Sequence, residues 1–345
     1  MASDSLSAII EAFLEWSEHH RSPVTYEWYR FRLKRFFEAY PDLRIGELRP
    51  YHVQEWIDRM TVASGTKRNY CRAVKRCVRW AKKQGYIDQN PIADLEVPRG
   101  GKREKVVTAG EWDTILAAVP DRYFRDLLVV TWETGCRPQE SLRVEARHVD
   151  LVNQRWVFPE SESKTDIPRV VYLTDEALAI TKRLMLQHPS GPLFRNLNGP
   201  WTTDAVNCAF IRLQIKLGRA LVAATVEQPA KDKRRKYLSV DEDAVAKLKA
   251  KLNPLKKSGV AKTEVELLHE ARRKLTYRQA TEAGPKYSLY VIRHTWMNRL
   301  LTSGVDALTV AFLAGHKNAS TLANHYAHLS QNPSFLLTQA KKAAS

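Results

Sequence analysis

The sequence predicts a mainly α protein of two domains, the second of which also contains a small β-hairpin. At 345 residues the chain exceeds the usual size of a single domain, so two domains are expected. Apolar side chains recur every three or four residues through most of the chain, as in amphipathic helices. Strand-like alternation is confined to two short runs between residues 154 and 173.

The first domain is predicted to comprise residues 1–97 and four helices. Leu6–Glu18 has the apolar spacing of a helix, and a second helix follows Thr25 and ends before Pro41. Pro50 opens a short third helix, and the fourth covers Ser64–Gly85, where the glycine suits a helix C-terminus.

The fourth helix is strongly basic. Between residues 66 and 83 it carries eight Lys or Arg side chains and no acidic one. Such a run could be a solvated face, but solvated helices usually mix charge signs, and like charges repel unless phosphates neutralise them. We therefore predict contact with DNA through Lys67, Arg68, Arg72, Lys75, Arg76, Arg79, Lys82 and Lys83.

Residues 98–106 are predicted to form a flexible basic linker. Pro98, Gly100 and Gly101 disfavour regular structure, and four of the nine residues 97–105 are basic. We expect Lys102 and Arg103 to contact the DNA backbone.

The second domain is predicted to cover residues 107–345. Thr108 suits the N-cap of its first helix. Lys164 lies in the segment SESKTDIP, which is predicted to join two strands as a hairpin. The predicted helices are Ala109–Val119, Tyr123–Trp132, Asp175–Gln187 and Thr203–Leu217, and the predicted strands are Gln154–Pro159 and Val170–Leu173.

Residues 214–284 are interpreted as a basic insertion. They contain 17 Lys and Arg against 9 Asp and Glu, including the run KDKRRK at 231–236. Helical periodicity is weak before Glu264, so a partly helical and partly mobile segment is expected. Two interpretations of this insertion are retained: it contacts DNA, or it is a solvated segment without a role.

The stretch 287–329 combines polar residue types with an apolar framework. A helix is predicted to begin near Tyr290 and to carry Arg293 in its apolar part. A second apolar segment closes at Gly315 and His316, and a short helix is expected to end on Tyr326. A tail, residues 330–345, follows.

The composition indicates a polyanionic partner. Fifty-five Lys and Arg against 38 Asp and Glu give a formal net charge of +17. No apolar run is long enough to span a bilayer, and the N-terminus lacks the features of a signal peptide. The four cysteines show no zinc-site spacing, and no phosphate-binding P-loop is present. We therefore expect a soluble, cytoplasmic, nucleoid-associated protein that uses no cofactor and no metal.

Two arginines stand out because of their surroundings. Arg137 follows a glycine turn at the head of a helix, and Arg293 lies in YVIRHTW, which is apolar enough to be interior. A guanidinium that is buried by its sequence context requires an anion. Taken singly, each could simply pair with a carboxylate.

Five motifs occur in order along the chain: TGCRPQE, a hairpin lysine, YVIRH, LAGH, and a tyrosine ten residues after the histidine of LAGH. With this set the chain resembles the tyrosine recombinases, also called phage integrases. That family has TGxRxxE, a lysine in a β-hairpin, HxxRH, LGH and a tyrosine nine or ten residues further on. The resemblance extends over nearly all of residues 5–330, because the helical first domain resembles the family's core-binding domain. The five motifs together are highly specific.

The resemblance implies roles for individual residues. Arg137 and Arg293 clamp the non-bridging oxygens of the scissile phosphate, and His316 hydrogen-bonds to it. Tyr326 is the nucleophile, which leaves a 3′-phosphotyrosine, and Lys164 protonates the 5′-hydroxyl leaving group.

One position departs from the family pattern. Tyr290 stands where HxxRH has its first histidine, and a phenol with a pKa of about 10 is a poor base at neutral pH. Tyr290 either donates a hydrogen bond to the phosphate or is a packed aromatic with a satisfied hydroxyl. The identity of the base that deprotonates Tyr326 is therefore open: it is His316, or the arginines and the phosphate activate Tyr326 directly. Glu140 and His294 are expected to support the site structurally.

The implied function is site-specific recombination, for integration or excision of a mobile element. The expected partners are duplex DNA with specific sites, further copies of the chain in a homotetramer held through the tail, and accessory DNA-bending or directionality proteins. The alternatives are a type IB topoisomerase-like strand transferase and a non-catalytic DNA-binding homologue. Strand cleavage separates the non-catalytic protein from the other two.

Overall fold

A computed structural model of the chain describes residues 5–100, 105–163, 168–225 and 241–316. These residues divide into two compact units, one before residue 101 and one after residue 104. Helices predominate in both, and the second unit adds one three-stranded and one two-stranded sheet. The prediction of a mainly α fold with a small sheet is confirmed.

The first unit contains four helices in the predicted order. Pro23 and Pro50 each stand in a first helical turn, where proline costs no backbone hydrogen bond. The second helix begins before the predicted Thr25, because the Ser22 hydroxyl accepts a hydrogen bond from the Thr25 N–H and caps the helix there. The helices are α1 Leu6–His20, α2 Pro23–Ala39, α3 Pro50–Asp58 and α4 Ser64–Lys83.

The core of the first unit is apolar and aromatic. Phe13 of α1, Phe36 of α2 and Ile57 of α3 are fully buried, and α4 buries Val74 and Val78 against them. This packing leaves the opposite, basic side of α4 on the surface.

The second unit combines helices with short strands, in an order close to that predicted. Its elements are α5 Ala109–Ala118, α6 Arg122–Thr134, α7 Pro138–Arg143, β1 Val149–Asp150, β2 Arg155–Phe158, β3 Arg169–Tyr172, α8 Asp175–Gln187, β4 Arg195–Asn196, β5 Gly199–Pro200, α9 Thr203–Thr225, α10 Glu242–Lys249, α11 Glu264–Ala283, α12 Leu289–Thr302 and α13 Ala307–Ala314.

The three-stranded sheet is antiparallel, in the order β1-β2-β3. Phe158 at the end of β2 pairs with Arg169 at the start of β3. Trp156 and Phe158 point into the core of the unit. The strands β2 and β3 confirm the two predicted runs, whereas β1, which is only two residues long, was not predicted.

The described parts of the region interpreted as an insertion, 214–225 and 241–284, contain more helix than predicted, and the run KDKRRK at 231–236 lies outside the described residues. Helix α9 continues without a break through residue 214, and α10 lies in a segment whose periodicity was too weak to predict it. Helix α11 packs so closely on α9 that a Cβ atom at Gly218 would lie 1.9 Å from the Ala280 carbonyl oxygen. Ion pairs such as Lys262–Glu270 and Arg272–Glu242 join charged side chains within this region.

Helices α12 and α13 share a small core of their own. Trp296 and Leu301 of α12 contact Val310 and Ala314 of α13 in this cluster. The Trp296 Nε1–H donates to the Glu133 carbonyl at the end of α6, at 3.0 Å. These contacts bring the ends of α6, α12 and α13 together. In the described part of the chain, no helix has the length and apolarity needed to cross a bilayer.

Candidate active site

Arg137 is held at the junction of α6 and α7. Gly135 ends α6 with a φ of +59°, and a Cβ atom there would lie 2.1 Å from the Trp296 ring, so only glycine fits. Arg137 then caps α7, where its backbone N–H donates to Glu140 Oε2 and its Nη1 donates to Glu140 Oε1, both at 2.8 Å. About a third of the Arg137 side chain, 34%, remains exposed.

Arg293 lies in the interior, as its apolar surroundings predict, and is only 4% exposed. Its Nη1 donates to the Gly135 carbonyl at 2.5 Å, and its Nη2 donates to the Ala314 carbonyl at 2.6 Å. Burial lowers the pKa of Arg293 to about 10, and the charge of Arg137 adds to this effect. The group stays protonated at neutral pH, and these bonds are to carbonyls rather than to a carboxylate.

The C-terminus of α13 is where the two arginines converge. Gly315 ends this helix in the left-handed region, with a φ of +70°. Its carbonyl accepts from Arg137 Nη2 at 2.5 Å. The next residue, His316, places its Nε2 atom 3.5 Å from Arg293 Nη2. The TGCR, YVIRH and LAGH motifs, which are far apart in the sequence, therefore meet at one point.

Arg169 is a further member of this cluster that sequence reasoning missed. It opens β3 and is 7% exposed, and its Nε donates to Glu140 Oε1 at 3.0 Å. A usable signal was present: strand alternation places Arg169 on the same side of β3 as Val171, which is buried. A basic residue on the inward side of a strand needs a buried partner.

The cluster carries an excess of positive charge. Among the described residues of the cluster, the guanidinium groups of Arg137, Arg169 and Arg293 are balanced by one carboxylate, that of Glu140. Burial alone raises the pKa of Glu140, but Arg169 and Arg137 outweigh it, and the pKa is lowered overall. Beside the cluster, a cleft of about 350 Å³ is lined by Arg137, Arg169, Gly315 and His316, among others. An anion in this cleft would balance the excess charge.

Glu140→Gln is expected to lower the free energy of unfolding by about 3 kcal/mol, because it leaves buried Arg169 without its carboxylate. Urea denaturation at pH 7 measures this loss. Since the pKa of Glu140 is lowered, the stabilisation is present at neutral pH. It declines as the pH falls below the ordinary carboxyl pKa of about 4.3 and through the lower folded value.

Glu264→Gln is the matched control, since Glu264 pairs with Lys249 but is 76% exposed. Its loss should cost less than about 1 kcal/mol. Equal effects of the two substitutions would contradict the assigned structural role of Glu140.

Tyr290 and His294 lie on α12 beside Arg293 but differ in exposure. Tyr290 is 61% exposed, which is more than the alternative of a packed aromatic predicts. His294 is half-buried. Participation of Tyr290 in phosphate binding and structural support by His294 both stay predictions.

Several predicted site residues lie outside the described residues: Lys164, Tyr326, Lys102 and Arg103. Ser163, immediately before Lys164 in the sequence, lines the cleft next to Arg137. His316 is the last described residue before Tyr326.

The basic residues predicted to contact DNA differ in their surroundings on α4. Five are exposed and three are half-buried. Lys75 donates from Nζ to the carbonyls of Ala93 and Leu95, at 3.1 and 2.5 Å, so it also supports the fold of the first unit. The exposed members are Arg68, Arg72, Arg79, Lys82 and Lys83.

Comparison with known proteins shows similarity in sequence. The model of the phage integrase family matches residues 105–332, more than half of the chain. Tyrosine recombinase XerC of Yersinia pestis is 26% identical over an alignment of 189 residues, which covers 48% of this chain. The chain spans 59% of the length of that relative.

Solved structures show similarity in fold. The Tn1549 transposon integrase in complex with transposon right end DNA has a TM-score of 0.64 and 17% identity, over 98% of this chain and 99% of that one. A lambda integrase tetramer bound to a Holliday junction has a TM-score of 0.61 and 13% identity, over 92% of this chain and 79% of that one. At these identities the likeness is one of fold.

Proposed function

The chain belongs to the phage integrase family, and on that premise we propose that it is a site-specific DNA recombinase that cuts and rejoins duplex DNA through a 3′-phosphotyrosine. The convergence of Arg137 and Arg293 on the end of α13, next to His316, carries the proposal. These are the positions that family resemblance assigns to phosphate binding. Their excess charge suits a phosphodiester.

The two arginines differ in what they can do. Arg293 is fixed by two carbonyls and is almost fully buried, so it presents a rigid positive charge. Arg137 is one third exposed and can turn donors toward an anion in the cleft. A phosphate oxygen can replace the Gly315 carbonyl as a partner of Arg137, at little cost in hydrogen bonds. Both charges stabilise the negative charge that develops on the phosphate oxygens in the transition state.

The chemistry is a transesterification that conserves bond energy. The Tyr326 oxygen attacks phosphorus, the bond from phosphorus to the 5′ oxygen breaks, and a phosphotyrosine forms. Lys164 supplies the proton that the 5′ oxygen takes up. The proton of the phenol passes to His316 or to water. Attack by a 5′-hydroxyl of a second strand reverses these steps and completes the exchange.

The proposed partners are duplex DNA and further copies of the chain. The exposed arginines of α4 provide a basic surface on the first unit, and the partly exposed Arg137 presents positive charge at the cleft of the second. We also propose a homotetramer on DNA, in which residues 330–345 contact a neighbouring subunit. Excision or integration of a mobile element is the proposed biological role, and accessory DNA-bending or directionality proteins are proposed as further partners.

A two-step experiment tests this function. Footprinting of the protein on the DNA that flanks its own gene identifies a binding site, and a nicked duplex built on that site then traps the cleaved intermediate. We expect a protein–DNA adduct that survives SDS. Binding without any adduct would indicate a non-catalytic DNA-binding protein. Relaxation of a plasmid that lacks the site would indicate a topoisomerase instead.

Arg72→Gln combined with Arg79→Gln is expected to weaken binding to all DNA sequences and to flatten its salt dependence. Both side chains are exposed on α4. If each contacts one phosphate, the slope of log K against log salt concentration falls by about 2 in magnitude. Titrations at several salt concentrations measure the slope.

The control combines Arg30→Gln with Arg59→Gln in the same unit. Arg30 and Arg59 are also exposed, but they pair with Glu27 and Glu55. An unchanged slope is expected for the control. Equal slopes in both double variants would argue against α4 as the DNA-binding surface.

A further inference from the structure

Arg169 connects three parts of the arginine cluster through one side chain. Nε and Nη2 donate to the two oxygens of Glu140, at 3.0 and 3.4 Å. Nη1 donates to the carbonyls of Val170 and Leu313, at 2.5 and 2.9 Å. The guanidinium therefore joins the start of β3 to α7 and to the last turn of α13.

Gly315 is fitted to the same guanidinium. A Cβ atom at this position would lie 2.7 Å from Arg169 Nε and 2.8 Å from its Cζ. The backbone just before His316 thus lies directly against Arg169. Any shift of the Arg169 side chain would move this backbone, because close-packed interiors transmit small displacements.

Arg169 is also linked to Arg137 through Glu140. Glu140 Oε1 accepts from Arg137 Nη1 at 2.8 Å as well as from Arg169 Nε. The Arg169 side chain is 8% exposed, and its Nε and Nη1 face the carboxylate and the carbonyls. Its contacts are with groups that hold the phosphate-binding residues.

On the basis of the proposed function, we infer that Arg169 is a positioning residue that sets the spacing between Arg137 and His316. It does so by holding Glu140 on one side and the segment Leu313–Gly315 on the other. A planar guanidinium can serve a carboxylate and two carbonyls at once, whereas the single ammonium of lysine cannot reach all of them in this geometry. Correct spacing is needed for both groups to engage the same phosphate.

The test compares Arg169→Lys with wild type in single-turnover cleavage at saturating protein. Two nicked substrates are used: an ordinary phosphodiester, and a 5′-bridging phosphorothiolate, whose sulfur leaves without needing a proton. Because the clamp acts on the phosphate oxygens of both, Arg169→Lys should slow both substrates equally. A loss on the order of tenfold to a hundredfold is expected, as for small misplacements of a catalytic group. Arg169→Gln should slow both at least as much.

Arg155→Lys is the matched control. Arg155 belongs to the same sheet but pairs with Asp150, at 2.9 Å. The Arg155→Lys variant should cleave both substrates at the wild-type rate. Thermal melting and DNA affinity are recorded for each variant, and Arg169→Lys decides the result if Arg169→Gln fails to fold.

Two results would overturn the role of Arg169. One is a wild-type rate for Arg169→Lys on both substrates. The other is a wild-type cleavage rate of Arg169→Lys on the phosphorothiolate but not on the phosphodiester, which would assign Arg169 to protonation of the leaving group. A wild-type protein that forms no adduct on either substrate contradicts the proposed function itself, so the two failures are distinguishable.

Discussion

Tyr326→Phe is expected to abolish the covalent protein–DNA adduct while leaving DNA binding unchanged. Phenylalanine keeps the ring but lacks the oxygen that forms the bond to phosphorus, so the covalent intermediate cannot form at this residue. The loss should exceed any produced by removing a charged group from the site. Gel analysis after SDS treatment measures the adduct, and footprinting measures binding.

Tyr290→Phe is the matched control for this loss. Tyr290 is the exposed tyrosine on α12 next to Arg293, and its predicted role is at most a hydrogen bond to phosphate. It should still form adducts, more slowly if the hydroxyl contacts the phosphate. If adducts persist in Tyr326→Phe, Tyr326 is not the nucleophile. If adducts are lost only in Tyr290→Phe, Tyr290 is the nucleophile instead.

Arg137→Gln is expected to slow strand cleavage on the order of a hundredfold, equivalent to about 3 kcal/mol of transition-state stabilisation. The effect should be on the rate rather than on folding, because the Arg137 side chain is one third exposed and Glu140 keeps Arg169 as a partner. Single-turnover kinetics on the nicked substrate measure the rate, with thermal melting as the check on folding.

Arg125→Gln is the control for general loss of positive charge. This arginine is exposed on α6 and donates to the Leu116 carbonyl, at 2.9 Å, away from the cluster at the C-terminal end of that helix. Cleavage should proceed at the wild-type rate. A similar slowing in both variants would mean that overall charge, not phosphate binding by Arg137, limits the reaction.

The helices were predictable because their signals are local. Proline at the start of α3 and the apolar spacing along α1 act within one or two helical turns. Arg137 and Arg293 were also recognisable, since glycine and proline or apolar neighbours surround them in the sequence. The meeting of their side chains at Gly315 could be inferred only from family resemblance, because it depends on the packing of α12 against α6 and α13.

The features that were missed depend on contacts between distant segments. Helix α9 runs on to Thr225, and beyond Leu217 it is supported by the close backbone approach of Gly218 to α11. Arg169 is an ordinary surface-type residue by composition, and its role depends on Glu140, 29 residues away. The approach of Gly218 leaves no periodic pattern in the local sequence. Strand alternation on β3 could mark Arg169 as inward-facing, but it could not identify Glu140 as its partner.

Identification of the covalent bond tests the central claim most directly. The adduct formed by the wild-type protein on the nicked substrate is digested with protease and nuclease, and the modified peptide is sequenced by mass spectrometry. The expected product is a nucleotide attached through its 3′ phosphate to Tyr326, with a free 5′-hydroxyl on the other DNA end. Attachment to another residue, or through a 5′ phosphate, would contradict it.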